Sequence, residues 1–219
     1  MNKCSTCNEL KTCIASTLTN SELLEFEGKV KVIDLKKGDS LGSLKSATNK
    51  INRLLTGLVK IEWKTRNNST FVTVSQKGQF LGIESALEDK VLPYSCVCIS
   101  NVTTCEIPVS TVSKFTQTNK AFCKFLFGIL LNDREIQIKY FSRMISDTSQ
   151  SKLALALSSL VTEDMYVTVT KEDIARMTGL TRETISRLLS KLNSEHIIQN
   201  NKREMKVLNN CKLKELITN

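Results

Sequence analysis

Between residues 21 and 112, short apolar runs alternate with polar breaks. Runs at 29–33, 51–55, 58–63, 70–74, 97–102 and 104–107 are separated by Lys37-Gly38-Asp39, Thr56-Gly57, Asn67-Asn68 and Lys77-Gly78-Gln79. Runs of this kind, bounded by residues that tolerate turn dihedrals, predict strands. Many short strands at this spacing predict a sandwich or small barrel. From 113 to 146 the period changes. That stretch has no proline and one glycine, and Phe122, Leu126, Ile129, Ile136 and Tyr140 recur at intervals of three, four and seven. This predicts a long helix with an apolar seam, packed either on its own domain or on a partner helix. Residues 147–219 open with helical periodicity and close with a polar hairpin, whereas residues 1–20 are polar and hold three of the eight cysteines. The fold class expected is α+β in four stretches: 1–20, 21–112, 113–146 and 147–219.

The pattern is sharpest between residues 171 and 193, where apolar Ile174, Leu180, Ile185 and Leu188 recur around small Ala175 and Gly179. A helix-turn-helix needs a small residue where its helices cross, a residue accepting positive φ between them, and a second amphipathic helix. Thr181 is placed to cap that second helix, with Glu183 in its first turn. Its polar face carries Arg182, Glu183, Ser186, Arg187 and Lys191. A solvated charged face has the same spacing, and side-chain chemistry is what points to DNA. Arginine pairs bidentately with guanine, glutamate accepts from cytosine N4, and serine serves either base type. Downstream, Ile197-Ile198-Gln199 and Met205-Lys206-Val207 flank Asn200-Asn201-Lys202-Arg203. The basic tip of that hairpin, Lys202 and Arg203, suits contact with phosphate. A winged helix-turn-helix that binds double-stranded DNA is expected.

Composition narrows the rest. The chain of 219 residues is 41 % hydrophobic and 24 % charged, which excludes wholesale disorder. Its longest uninterrupted apolar run, 125–131, has seven residues, against about 20 for a bilayer span. A membrane protein is not expected. Met1-Asn2-Lys3-Cys4 has no apolar signal-peptide core, so the cytoplasm is the expected address. Thirty-one basic against 22 acidic residues give +9, favouring a polyanionic partner, nucleic acid before membrane. The single histidine, His196, excludes two-histidine zinc hydrolases and 2-His-1-carboxylate iron sites.

Eight cysteines in a chain of this length do not describe a secreted disulfide scaffold. Cys4, Cys7 and Cys13 form C-x2-C-x5-C, and clustered cysteines in a reducing compartment point to metal, redox chemistry or catalysis. A thiol oxidoreductase built on Cys4-x-x-Cys7 would open a helix in a βαβ unit, which this N-terminus does not show, so no enzyme is expected. Cys96 and Cys98 alternate along an apolar strand as small core residues. Cys123 and Cys211 have no partner spacing that demands chemistry.

The segment Gly179-Leu180-Thr181-Arg182-Glu183-Thr184-Ile185-Ser186-Arg187 resembles the recognition motif of the CRP/FNR transcription regulators. The order of parts agrees along nearly the whole chain. The resemblance implies a β-roll like that of cyclic-nucleotide-binding domains over 21–112, a dimerisation helix over 113–146 carrying the seam named above, and a DNA-binding domain over 147–219. Members that bind cyclic nucleotides cradle phosphate with a Gly-Glu pair followed by Arg-Ser or Arg-Thr. The matching stretch here, Gly82-Ile83-Glu84 to Pro93-Tyr94-Ser95, holds no arginine, and Lys90 cannot form a planar two-point fork. Cyclic nucleotide is therefore not the expected ligand.

The spacing of Cys4, Cys7 and Cys13, with Cys105 in Cys105-Glu106-Ile107-Pro108, resembles the FNR branch. There, three N-terminal cysteines and one from the β-roll hold an oxygen-labile 4Fe–4S cluster, so residues 1–20 would be a cluster-binding segment. Four thiolates would also suit zinc, and metal-free thiols stay open. FNR-type proteins often carry a leucine before the third cysteine; Thr12, beside Lys11, stands there, and a wetter shell changes oxygen access and potential. The function implied is an iron–sulfur-dependent, redox- or oxygen-responsive regulator binding an inverted repeat as a homodimer, with RNA polymerase as partner in activation. In a TTGA-like half-site Arg187 would take the guanine, Glu183 the cytosine of the paired strand, and Ser186 the outer thymine side. Arg182 leaves a TGTGA-like core as the alternative. A cluster-free regulator of the same family, switched by a small ligand or by thiol oxidation, is the alternative function.

Overall fold

The computed structural model describes residues 4–42, 49–64, 69–88, 94–167, 169–201 and 205–218. After three 3₁₀ turns, Cys4–Thr6, Leu10–Thr12 and Ile14–Thr17, come α1 (Asn20–Glu27), β1 (Lys31–Leu35), β2 (Ser40–Gly42), β3 (Lys50–Thr56) and β4 (Val59–Lys64). β5 (Ser69–Ser75), β6 (Phe80–Leu81), α2 (Ile83–Glu88), β7 (Tyr94–Cys98), β8 (Val102–Pro108), α3 (Val109–Thr118) and α4 (Lys120–Ser146) follow. The chain ends with α5 (Ser149–Leu160), β9 (Tyr166–Val167), α6 (Lys171–Thr178), α7 (Arg182–Ser194), β10 (Ile198–Asn200), β11 (Met205–Val207) and α8 (Asn210–Thr218). It divides into two units, 1–59 with 75–136, and 60–74 with 137–219.

The first unit is built on an antiparallel sheet in the order β1-β8-β3-β6, with Cys105 of β8 opposite Val32 of β1 and Arg53 of β3. β2 pairs with β7, Ser40 opposite Val97. The turn after β3 requires Gly57: its φ is +82°, and a Cβ there would lie 2.1 Å from the Asn101 carbonyl oxygen. Phe26 of α1, Phe115 of α3 and Phe122 of α4 pack as a trio with ring centroids 5.5–6.5 Å apart. Ile14, Ile51, Ile107 and Leu126 complete the buried core around them.

In the second unit, β4 and β5 are hydrogen-bonded neighbours, and β10-β11-β9 form a small antiparallel sheet with Ile198 opposite Val207. Leu153 and Leu157 of α5, Ile174 of α6, Ile185 and Leu189 of α7, and Leu213 of α8 are fully buried. The wing-tip residues Lys202 and Arg203 lie outside the described residues, as does Lys90.

Several expectations are corrected. The run at 97–102 is the end of β7, a turn, and the start of β8. α1 and α2 interrupt a stretch read as strands; α1 carries a capping box in which Thr19 accepts from the Glu22 amide and the Glu22 carboxylate accepts from Thr19. The helix expected over 113–146 is two helices broken at Asn119, whose backbone is extended and whose side-chain oxygen accepts from the Phe122 amide at 2.9 Å.

The apolar seam is also corrected. Phe122 and Leu126 are buried in the chain's own core, and half-buried Ile129 packs against it. Tyr140 is half-buried, while Ile136 is exposed but off the stripe that α4 leaves open. That stripe is Phe127, Leu131, Ile138, Phe141 and Ile145, each at least 55 % exposed. With Arg134 they follow alternating intervals of four and three, the spacing of a coiled-coil seam. Among the described residues no helix is long and apolar enough to cross a membrane.

Candidate functional site

The cysteines of the N-terminal segment are fixed by its 3₁₀ turns. The Cys7 amide donates to the Cys4 carbonyl and the Cys13 amide to the Leu10 carbonyl, both at 3.0 Å, while the Cys13 carbonyl accepts from the Ser16 amide at 2.9 Å. These local bonds curl the segment so that Cys13 enters the core and Cys4 packs against it. Cys105, inside β8, reaches the same core cluster from the sheet. Burial pushes the Cys105 thiol up to about 12, helped by Cys4, Cys13 and Cys7. Burial likewise pushes Cys4 up to about 11, with Cys13, Glu27 and Cys7 adding to it. Cys13 is raised by burial as well. Sequence-distant Cys105 thus shares a core with Cys13, against which Cys4 packs.

The chemistry follows from this arrangement. Without a cation the buried thiols stay protonated, and a metal centre must displace those protons to bind. Among the described residues no group of three or more His, Cys, Asp or Glu is drawn together closely enough to hold a metal ion. The donor set itself, four cysteines with no histidine, fits a four-thiolate iron–sulfur centre, whose irons take one thiolate each. The remaining cysteines lie elsewhere: Cys96 and Cys98 are buried on β7, Cys123 is half-buried on α4, and Cys211 is exposed on α8.

Arg53, which sequence reasoning missed, adjoins this centre. It is 2 % exposed, and its Nη2 donates to Thr12 Oγ1 at 3.1 Å, one residue from Cys13. Glu9 lies 3.6 Å away and the Phe80 ring centroid 5.8 Å. The available signal was a charged residue at an inward position of an apolar run, which packs there only with a partner. Elsewhere in this unit the Tyr94 hydroxyl donates to Glu84 at 2.9 Å, so that carboxylate is already engaged.

The second place of interest is α6-turn-α7. α6 has a capping box at Thr170 and Asp173, and it ends at Gly179, whose φ of +69° places it in the left-handed region. Thr181 caps α7 by accepting from the Thr184 amide at 3.2 Å. Ile185, Leu188, Leu189 and Leu192 turn inward, which leaves Arg182, Glu183 and Arg187 exposed and Ser186 half-buried. Backbone and Thr181 hydrogen bonds hold the Glu183 carboxyl below the usual range, so it is an anionic acceptor at neutral pH. Lys191 is engaged within its own unit, donating to Gln150 Oε1 at 3.0 Å with Glu195 at 3.9 Å.

Comparison with known proteins agrees with this geometry. Residues 151–216 match the family described as the Crp-like helix-turn-helix domain. Over 224 residues the chain is 22 % identical to the fumarate and nitrate reduction regulatory protein of Vibrio cholerae, covering 97 % of this chain and 89 % of that protein. It superposes with a TM-score of 0.73 on a structure from Eubacterium rectale assigned to the Crp/Fnr regulators, at 11 % identity and covering 93 % and 97 % of the two chains. A CRP/FNR-family regulator from Thermus thermophilus gives a TM-score of 0.70 at 20 % identity, covering 86 % and 99 %. The fold is that of the CRP/FNR regulators: a β-sheet N-terminal domain, a long helix and a C-terminal helix-turn-helix. The relatives are named as transcription regulators, not enzymes.

Proposed function

We propose that the chain is a DNA-binding transcription regulator of the CRP/FNR family, an iron–sulfur-dependent, redox-responsive member acting as a homodimer on an inverted repeat in the cytoplasm; the Crp-like helix-turn-helix match over 151–216 and the regulator-named relatives support this reading. The observation that supports this reading is that Cys13 and Cys105, distant in sequence, share one buried core in the first unit, with Cys4 packed against it. The relative named for fumarate and nitrate reduction supports an anaerobic role.

The four cysteines would supply the thiolates, and a cluster held this way supplies a centre preserved by reducing and lost under oxidising conditions. The chain's own part is to couple that segment to α4. Asn119 donates to the Thr17 carbonyl and the Glu22 carboxylate while capping the first turn of α4. A fixed N-terminal segment thereby holds the start of the helix that bears the exposed apolar stripe. A second copy covering that stripe would set two α7 helices about 34 Å apart, one turn of DNA. Arg187, Glu183 and Ser186 would read base edges, Arg182 would take a further guanine if the core is TGTGA-like, and the wing residues Lys202 and Arg203 would meet phosphate, with RNA polymerase as the partner in activation. Lys191, tied to Gln150 and Glu195, would contact phosphate only after leaving them.

Binding to duplexes selected from a random pool, measured on anaerobically purified protein and again after exposure to air, tests this reading. Tight binding to a palindrome that air abolishes is expected. Equal binding by the air-treated, metal-free chain would overturn it.

A further inference from the structure

Resting on that cluster reading, we infer that Arg53 is the counter-cation of the cysteine centre, a positioning and potential-setting residue rather than a ligand. Opposed residues on antiparallel strands put their side chains on the same face. Arg53 stands opposite Cys105 on the β3–β8 ladder, so the two side chains leave the sheet on the same face. The guanidinium then reaches Thr12, the residue before Cys13. One buried residue is thus paired in register with Cys105 and hydrogen-bonded to the neighbour of Cys13.

The charge on this group is under-compensated. A buried guanidinium ordinarily has its donors filled and its charge paired. Here Nε has no hydrogen-bond partner among the described residues. The nearby carboxylate, Glu9, stands 3.6 Å off and is shared with Lys77 at 3.0 Å. Phe80 offers only a ring face. Burying a cation this way is costly unless an anion is at hand. The thiols that can become anionic on this face are Cys105, its register partner, and Cys13, beside its hydrogen-bond partner Thr12. Four thiolates around an iron–sulfur core carry net negative charge, and charge and hydrogen bonds around such a core set its potential. Arginine suits the role because its planar group stays protonated under all working conditions.

The test reconstitutes the full chain anaerobically with ferrous iron and sulfide, then measures iron and sulfide content and the midpoint potential in a dye-mediated dithionite titration. Arg53→Gln should lower cluster content and move the potential to more negative values, because the extra electron loses its nearby cation. Arg53→Lys, which keeps the charge without the fork, should fall between the two. Glu9→Gln leaves Arg53 in place and removes its competing anion, so its potential should move the opposite way, to more positive values. That variant keeps the test decisive if Arg53→Gln does not fold by circular dichroism. A loaded wild type with wild-type content and potential in a folded Arg53→Gln overturns the role of Arg53 alone, as does an unmoved potential in Glu9→Gln. A wild-type chain that takes up no iron or sulfide overturns the cluster reading, and this inference with it.

Discussion

The side-chain amide of Asn119 donates to both carboxylate oxygens of Glu22, at 3.2 and 3.1 Å. Its oxygen accepts from the Phe122 amide, so a single residue at the break between α3 and α4 ties the helix after the cysteine segment to the helix that bears the exposed stripe. Asn119→Ala should lose the α4 cap, at about 1 kcal/mol, and with it the link to Glu22. Asn119→Asp keeps the cap acceptor but sets a carboxylate against Glu22. If the link transmits the state of the cysteine segment, both variants should weaken the anaerobic dimer in sedimentation. Loss in the alanine variant alone would reduce Asn119 to a cap.

The same contact has a pH signature. Hydrogen bonds from Thr19 and then Asn119 hold the Glu22 carboxyl below its ordinary value. A depressed carboxyl contributes stability that is fully present above the ordinary carboxylate range and is lost as pH falls through the folded-state value. Denaturant unfolding from pH 7 down to pH 3 should therefore show a smaller loss of stability in Glu22→Gln than in the parent chain. Parallel curves would remove Glu22 from the account.

Substitutions on α4 should separate its two faces. Leu131→Glu and Ile138→Glu place charge on the exposed stripe and should give folded monomers in sedimentation. Leu126→Ala, at a side chain 2 % exposed, should instead cost about 2–5 kcal/mol of stability, the range for emptying a core site. A dimer that survives both glutamates would place the interface elsewhere.

On α7, Arg187→Ala should cost about 1–3 kcal/mol on the specific duplex and leave random DNA nearly unaffected. Ser186→Ala should relax the base preference at one position. Lys202→Ala should weaken all duplexes alike and flatten the salt dependence, as the loss of a phosphate contact does. Lys191→Ala should do less than Lys202→Ala, because Lys191 already has Gln150 and Glu195 as partners. Equal losses for Arg187→Ala on specific and random DNA would contradict the base-reading role.

The helix-turn-helix was legible because its determinants are local: Gly179 supplies the left-handed turn and Thr181 caps the next helix. The buried face of α4 was not. Residues 125–131 are apolar on both faces, so periodicity alone cannot choose between Phe122 with Leu126 and Phe127 with Leu131. Tertiary packing against Phe26 and Phe115 makes that choice. The break at Asn119 carries neither proline nor glycine, and it follows from a side-chain cap. α1 was within reach, since Thr19 and Glu22 spell a capping box. Arg53 beside Cys105 depends on a strand register that no short pattern contains, and Cys105 itself was reached only through a family resemblance.

Iron and acid-labile sulfide, determined per chain on anaerobically purified protein and on single Cys→Ser variants, test the central claim most directly. The parent should hold about four of each. Cys4→Ser, Cys7→Ser, Cys13→Ser and Cys105→Ser should lose both together with the visible absorption, while Cys96→Ser, Cys98→Ser, Cys123→Ser and Cys211→Ser should keep them. Full iron and sulfide in Cys105→Ser, or a parent chain holding zinc or no metal, would contradict it.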